Sequence, residues 1–169
     1  PGVGWTTHAT GLLRPAGSRP AVPVPLPPAD ETTEISVLPP AEEEGMAAWR
    51  CLRTVRRHGD DLVVDVALPA DLRDEETFLL HPGLLDAALL AWNATTGRQA
   101  RPFAFTDTTC HAPMPEALRV HVRPSAPDVV SLHLTDLDGE LVAVVGSATL
   151  RPVQAAVRHS RSAGSLLRM

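Results

Sequence analysis

The sequence predicts an α+β domain in which one antiparallel sheet wraps a single buried helix. Three observations carry this. Short runs with period-2 alternation of Val, Leu and Thr occupy most of residues 51–68 and 101–153. One Leu/Ala-rich segment, Leu79–Trp92, interrupts them. Its apolar residues Leu84, Leu85, Leu89, Leu90 and Trp92 spread around nearly every helical face. A helix apolar all round is buried all round, so the strands must enclose it.

The elements follow in order. "GWTTHATGLL" alternates weakly and suits one short strand. Residues 14–44, "RPAGSRPAVPVPLPPADETTEISVLPPAEEE", are Pro-laden and end in an acidic run, which reads as an extended linker laid on a surface or partly disordered. A short helix is expected near Met46–Trp49, with Glu42–Glu44 solvated or at its N-terminal end. "WRCLRTVRRHGDDLVVDVALP" gives a strand near Cys51–Arg57, a turn at His58–Asp61 and a strand Leu62–Leu68. Pro82 suits the first turn of a helix running to Ala94, and Gly97 suits its stop. "RPFAFTDTTCHA", "ALRVHVRP" and "DVVSLHLTDLDGELVAVVGSATLRPV" complete a meander, with a hairpin turn at Asp138-Gly139. The last residues, 155–169, read as an exit linker.

Composition excludes several function classes. The 169 residues carry a net charge of −5, so neither nucleic acid nor an anionic membrane is an expected partner. All 15 basic residues are Arg, a bias that fits a GC-rich bacterial genome. Cys51 and Cys110 are too few and too separated for a zinc ribbon or disulfide framework, and suit ordinary thiols in a cytoplasmic protein. No apolar run reaches membrane-spanning length, and no signal peptide is evident. A chain starting at Pro1 reads as cut from a larger polypeptide. No histidine pair has helical zinc spacing, and neither a Gly-rich phosphate loop nor GxSxG occurs.

Asp86 is the one charged residue in "LLHPGLLDAALLAW". It sits one turn into the helix, where a carboxylate can favour the N-terminal dipole and reach solvent. It can equally be a carboxyl in an apolar pocket, its pKa raised so that it donates a proton near neutrality. The residue pattern leaves both open. His81 opens the helix and suits a capping or positioning role beside Pro82. His111, His121 and His133 fall in strand patterns and are expected at surface or edge positions.

"HPGLLDAALLAW" resembles the HPALLDAALHA-type signature of dehydratase domains in modular type I polyketide synthases. The likeness continues in order through "RPFAF", "CHA", "ALRVHVRP" and the strand pair around Asp138-Gly139. The resemblance implies a hotdog fold, residues 45–154 being the second half of a double hotdog and residues 1–13 a remnant strand of the preceding one. It implies loss of water from a 3-hydroxyacyl chain on acyl carrier protein, with no cofactor beyond the phosphopantetheine-linked substrate. A His from the first half would take the α-proton, and Asp86 would protonate the leaving hydroxyl. Acyltransferase, ketoreductase and acyl carrier protein are the implied neighbours, and a homodimer the implied assembly.

Three departures from the family pattern stand out. The HxxxGxxxxP motif that supplies the base is absent from these residues; in "HATGLLRP" the Gly follows His8 one residue early. The Gln or His usual one turn after the acid is Leu90. The family's YGP appears as Gly45-Met46-Ala47, and the chain has no Tyr. Together they favour a dehydratase-like domain kept for architecture. Half of a working enzyme whose other hotdog lies elsewhere is the second reading, and an acyl-chain or carrier-protein binding module a third.

Overall fold

A computed structural model describes residues 27–38, 46–73 and 78–153, together with residues 7, 9–13, 15 and 25. The chain contributes strands β1 (Thr33–Glu34), β2 (Leu52–His58), β3 (Asp61–Ala67), β4 (Ala100–Cys110), β5 (Ala117–Ala126), β6 (Val129–Thr135) and β7 (Leu141–Pro152). Helix α1 (Ala47–Cys51) precedes β2, and helix α2 (Pro82–Thr96) lies between β3 and β4. The strands form one antiparallel sheet in the order β1-β2-β3-β5-β6-β7-β4.

That order explains where α2 must lie. The chain leaves the sheet at β3, and after α2 it returns at the far edge as β4. The helix therefore crosses the sheet and is held against its inner face. Leu62, Val64 and Val66 of β3, Leu118, Val120 and Val122 of β5 and Leu132 and Leu134 of β6 point inward, all at most 1% exposed. They join Leu84, Leu85, Ala88, Leu89 and Trp92 of α2 in one core cluster. A helix wrapped in this way by a curved antiparallel sheet is the hotdog fold, as the periodicity predicts.

The hairpin, the helix and the Asp138-Gly139 turn lie within two or three residues of their expected bounds. Gly97 ends α2 in the left-handed region at φ 67°, which L-side chains rarely adopt. Two differences are informative. The expected meander of four or five strands is three strands, because β4 pairs with β7 rather than β5. The Leu68 N–H donates to the Glu116 carbonyl at 2.8 Å, so the start of β5 is tied to the end of β3 and β4 is left for the opposite edge.

Second, the Pro-rich segment carries structure. Thr33 and Glu34 pair with Arg57 and Arg56, and the Ile35 N–H donates to the Val55 carbonyl at 2.9 Å. Ile35 and Val37 then pack on the core. This covers the outer edge of β2, which would otherwise present unpaired backbone groups. Residues 7 and 9–13 of the expected first strand are not in a strand, and the rest of that segment, including His8, lies outside the described residues. Residues 155–169, the expected exit linker, lie outside them as well.

The outer face of the sheet is polar. Asp65 accepts from Arg119 Nε (2.7 Å), Arg56 Nη2 (2.8 Å) and Thr54 Oγ1 (2.8 Å). Burial works to raise its pKa, but those hydrogen bonds and the Arg119 and Arg56 charges outweigh it and hold the carboxyl below its ordinary value.

Truncating both Ile35 and Val37 to Ala should lower unfolding free energy by about 2 kcal/mol. Chemical denaturation reads this directly, and an unchanged midpoint would mean that the strap is no part of the folded unit.

Candidate functional site

The site is built around the start of α2. His81 is the N-cap, and its Nδ1 accepts the Gly83 N–H at 3.1 Å, satisfying one of the helix's otherwise unpaired donors. The His81 N–H itself donates to Met114 Sδ at 2.6 Å, and Phe78 meets the imidazole edge-on at 5.0 Å between centroids. Position 83 must be small, since a Cβ there would lie 3.2 Å from His81 Cε1. Pro82 occupies the first helical position, where it has no hydrogen bond to lose. The far end of α2 is anchored by Asn93, whose Nδ2 donates to the Ala100 carbonyl at 2.6 Å. Sequence reading missed Asn93 and Met114; an Asn just before a Gly-terminated helix end was the available signal for the first.

Every residue of α2 from Leu84 to Asn93 is buried except Asp86, which is exposed. Of the two environments that the residue pattern leaves open, this chain shows the solvent-reaching one: the carboxyl opens onto the surface beside Pro82, also exposed. The apolar surroundings still act on it. Burial of part of the carboxyl raises its pKa, and the Arg101 charge at the start of β4 partly opposes this. Among the described residues no hydrogen bond is made to the Asp86 carboxylate.

One turn on, Leu90 is only 5% exposed and faces away from any polar role. It closes a small apolar cluster with Ala48 and Trp49 of α1, against which Met46, Val37 and Leu52 pack. Leu90 of α2 and Met46, just before α1, therefore meet at one spot.

The remaining histidines divide. His111 is exposed, as expected. His121 corrects the expectation: it lies on interior strand β5 with its side chain 3% exposed, because strands on both sides and their long polar side chains cover it. His133, on β6, is half-buried. Cys51 is fully buried and its thiol pKa is raised by burial, against the charges of Arg53 and Arg50. No group of three metal-ligating side chains assembles among the described residues, and no helix there is long and apolar enough to cross a membrane.

The raised Asp86 pKa has a stability consequence. Its charged form is disfavoured in the folded state, so the penalty is present in full above the folded pKa and vanishes below the ordinary Asp value. Asp86→Asn should raise the melting temperature at pH 7, and the gain should shrink as pH falls towards 4. A variant melting below the parent at pH 7 would contradict this sign.

Comparison with known proteins gives the same family from sequence and from structure. The family model described as the polyketide synthase dehydratase N-terminal domain matches residues 45–160. The spectinabilin polyketide synthase system protein NorA' of Streptomyces orinoci is 36% identical over 162 residues, covering 90% of this chain and 4% of that protein. The pikromycin polyketide synthase component PikAII of Streptomyces venezuelae is 36% identical over 170 residues, covering 90% of this chain and 4% of its own length. This chain thus spans a small fraction of large modular proteins. Among solved structures, the bifunctional dehydratase-cyclase domain of ambruticin biosynthesis superposes with a TM-score of 0.66 at 31% identity, over 76% of this chain and 50% of that one. The erythromycin dehydratase gives a TM-score of 0.59 at 28% identity, over 73% and 47%. With the hotdog architecture and the helix that carries Asp86 already in place, these matches mean that the chain belongs to the polyketide synthase dehydratase family.

Proposed function

We propose that this chain is the second hotdog of a modular polyketide synthase dehydratase and has lost dehydration, serving instead as an architectural and dimerising element among neighbouring synthase domains. The acyltransferase, ketoreductase and acyl carrier protein are those neighbours. Assignment to the second half rests on the order of motifs, with "HPGLLDAALLAW" on α2 and the strands of β4–β7 behind it; the matched family model carries the description of an N-terminal domain.

One observation carries the proposal. The position that would hold an amide or imidazole to orient the acid is Leu90, sealed against Trp49 and Ala48. An acid that nothing orients loses the pre-arranged geometry from which general-acid catalysis draws much of its rate. Packing in that cluster rewards apolar residues, so a polar orienting group there would now cost stability. For dimerisation the support is β4, an edge strand of the sheet that displays Phe103 at 58% and Phe105 at 44% exposure. Long edge strands with exposed aromatics favour pairing with another strand.

A second reading has its own support. The Asp86 pKa is raised, which suits a carboxyl that must hold a proton, and its side chain is open to whatever docks over it. In that reading the chain is the C-terminal half of a working 3-hydroxyacyl dehydratase, and another hotdog supplies the catalytic His.

The test uses the intact parent polypeptide, its carrier protein loaded with a 3-hydroxyacyl chain, followed by mass spectrometry. No loss of water is expected, with or without Asp86→Asn. Water loss that disappears in the variant would overturn the architectural proposal in favour of the half-enzyme. For the assembly, sedimentation of this chain should show a dimer that Phe105→Lys converts to monomer; a parent sedimenting as a monomer would remove the dimerising role.

A further inference from the structure

We infer that His121 and His133 form an acid-sensitive latch on the outer face of the sheet, closed while both imidazoles are neutral and loosened when protons enter. The two residues are direct cross-strand partners on β5 and β6, with ring centroids 6.5 Å apart. Neither belongs to the Asp86 helix.

The hydrogen bonding defines the closed state. His121 Nε2 lies 2.9 Å from Asp61 Oδ2. A carboxylate only accepts, so Nε2 donates, and while the ring is neutral Nδ1 carries the lone pair. That Nδ1 is buried and has no partner, and the same holds for His133 Nδ1. Protonating His121 would place an N–H in a buried position with no acceptor, beside a second titrating ring. An unmet buried donor is costly, and a charged one more so.

The surroundings offer no spare negative charge. Facing the pair are Arg56 and His58 from β2, Asp61 and Asp65 from β3, and Arg119 and Arg123 from β5. Asp65 is already shared by Arg56 and Arg119, and Asp61 by His121 and Arg123 (3.2 Å). His58 faces Glu31 at 3.4 Å. The aligned residue of β7 is Val144, which brings no charge. Three guanidiniums thus meet two carboxylates before any imidazole is protonated.

Burial lowers both histidine pKa values; for His121 the bond to Asp61 only partly opposes this, and for His133 the neighbouring cations add to it. The sign follows. As pH falls through the ordinary histidine value the unfolded chain takes up protons first, so stability is full above it and declines below. Strands β5 and β6 are central to the sheet, so the strain falls on the pairs that hold α2 in place.

The experiment takes the full chain between pH 7.5 and 5.5. The melting temperature of the parent should fall by roughly 5 °C over that interval. His121→Gln, which keeps a donor for Asp61, and His133→Gln should each flatten the slope. Hydrogen exchange, corrected for the intrinsic pH dependence, should show protection lost first in β5 and β6. Should either variant fail to fold, imidazole titration of the parent by NMR decides alone. Two midpoints below the ordinary histidine value support the latch. Midpoints at or above it, an equal pH slope in a folded variant, or protection lost first elsewhere would overturn it.

Discussion

Everything in this domain depends on hiding one helix. Helix α2 carries Leu84, Leu85, Leu89, Leu90 and Trp92 on several faces at once, and a single flat sheet can cover only one of them. The sheet therefore curves around it, and α1 covers part of what the sheet leaves open. The same demand gives the Pro-rich strap its place, since Ile35 and Val37 finish the cover at the β2 side. Apolar burial supplies the drive, while the caps at His81 and Gly97 set where the helix starts and stops.

Within that arrangement Asp86 is an anomaly with a cause. It occupies a part of the helix surface that the sheet does not cover, so it can remain ionisable while its neighbours are buried. The partial loss of water raises its pKa, and Arg101 restrains the shift. A turn further on, packing against α1 takes over. There Leu90 meets Ala48 and Trp49 in an apolar contact, with Met46 packed beside them. Packing at that contact favours an apolar residue at position 90.

The outer face of the sheet holds ionisable groups in two different ways. On the outer face Asp65 binds two guanidiniums and a hydroxyl, and its carboxylate is held charged. The imidazoles two residues further along β5, and across on β6, are kept neutral by burial. Neighbouring residues on one face thus have opposite preferences for charge, set by whether hydrogen bonds and opposite charges outweigh burial, as at Asp65, or burial outweighs them, as at His121.

Period-2 and all-round apolar patterns are local properties, so the sequence alone determined the β2–β3 hairpin, α2 with Pro82 and Gly97 at its ends, the turn at Asp138-Gly139 and the hotdog class. The order of motifs around "HPGLLDAALLAW" likewise determined the family. What only the tertiary structure decided were relations between distant segments. The placement of β4 at the far edge depended on a backbone bond between Leu68 and Glu116, 48 positions apart in numbering. The exposure of Asp86 depended on where the sheet stops, and the contact of Leu90 with Trp49 on how α1 folds back. The burial of His121 came from strands on both sides and their side chains, whereas alternation along β5 by itself assigns the residue to the outer face and therefore to solvent. Periodicity reports which side of an element a residue occupies, but not what arrives from elsewhere in the chain to cover it.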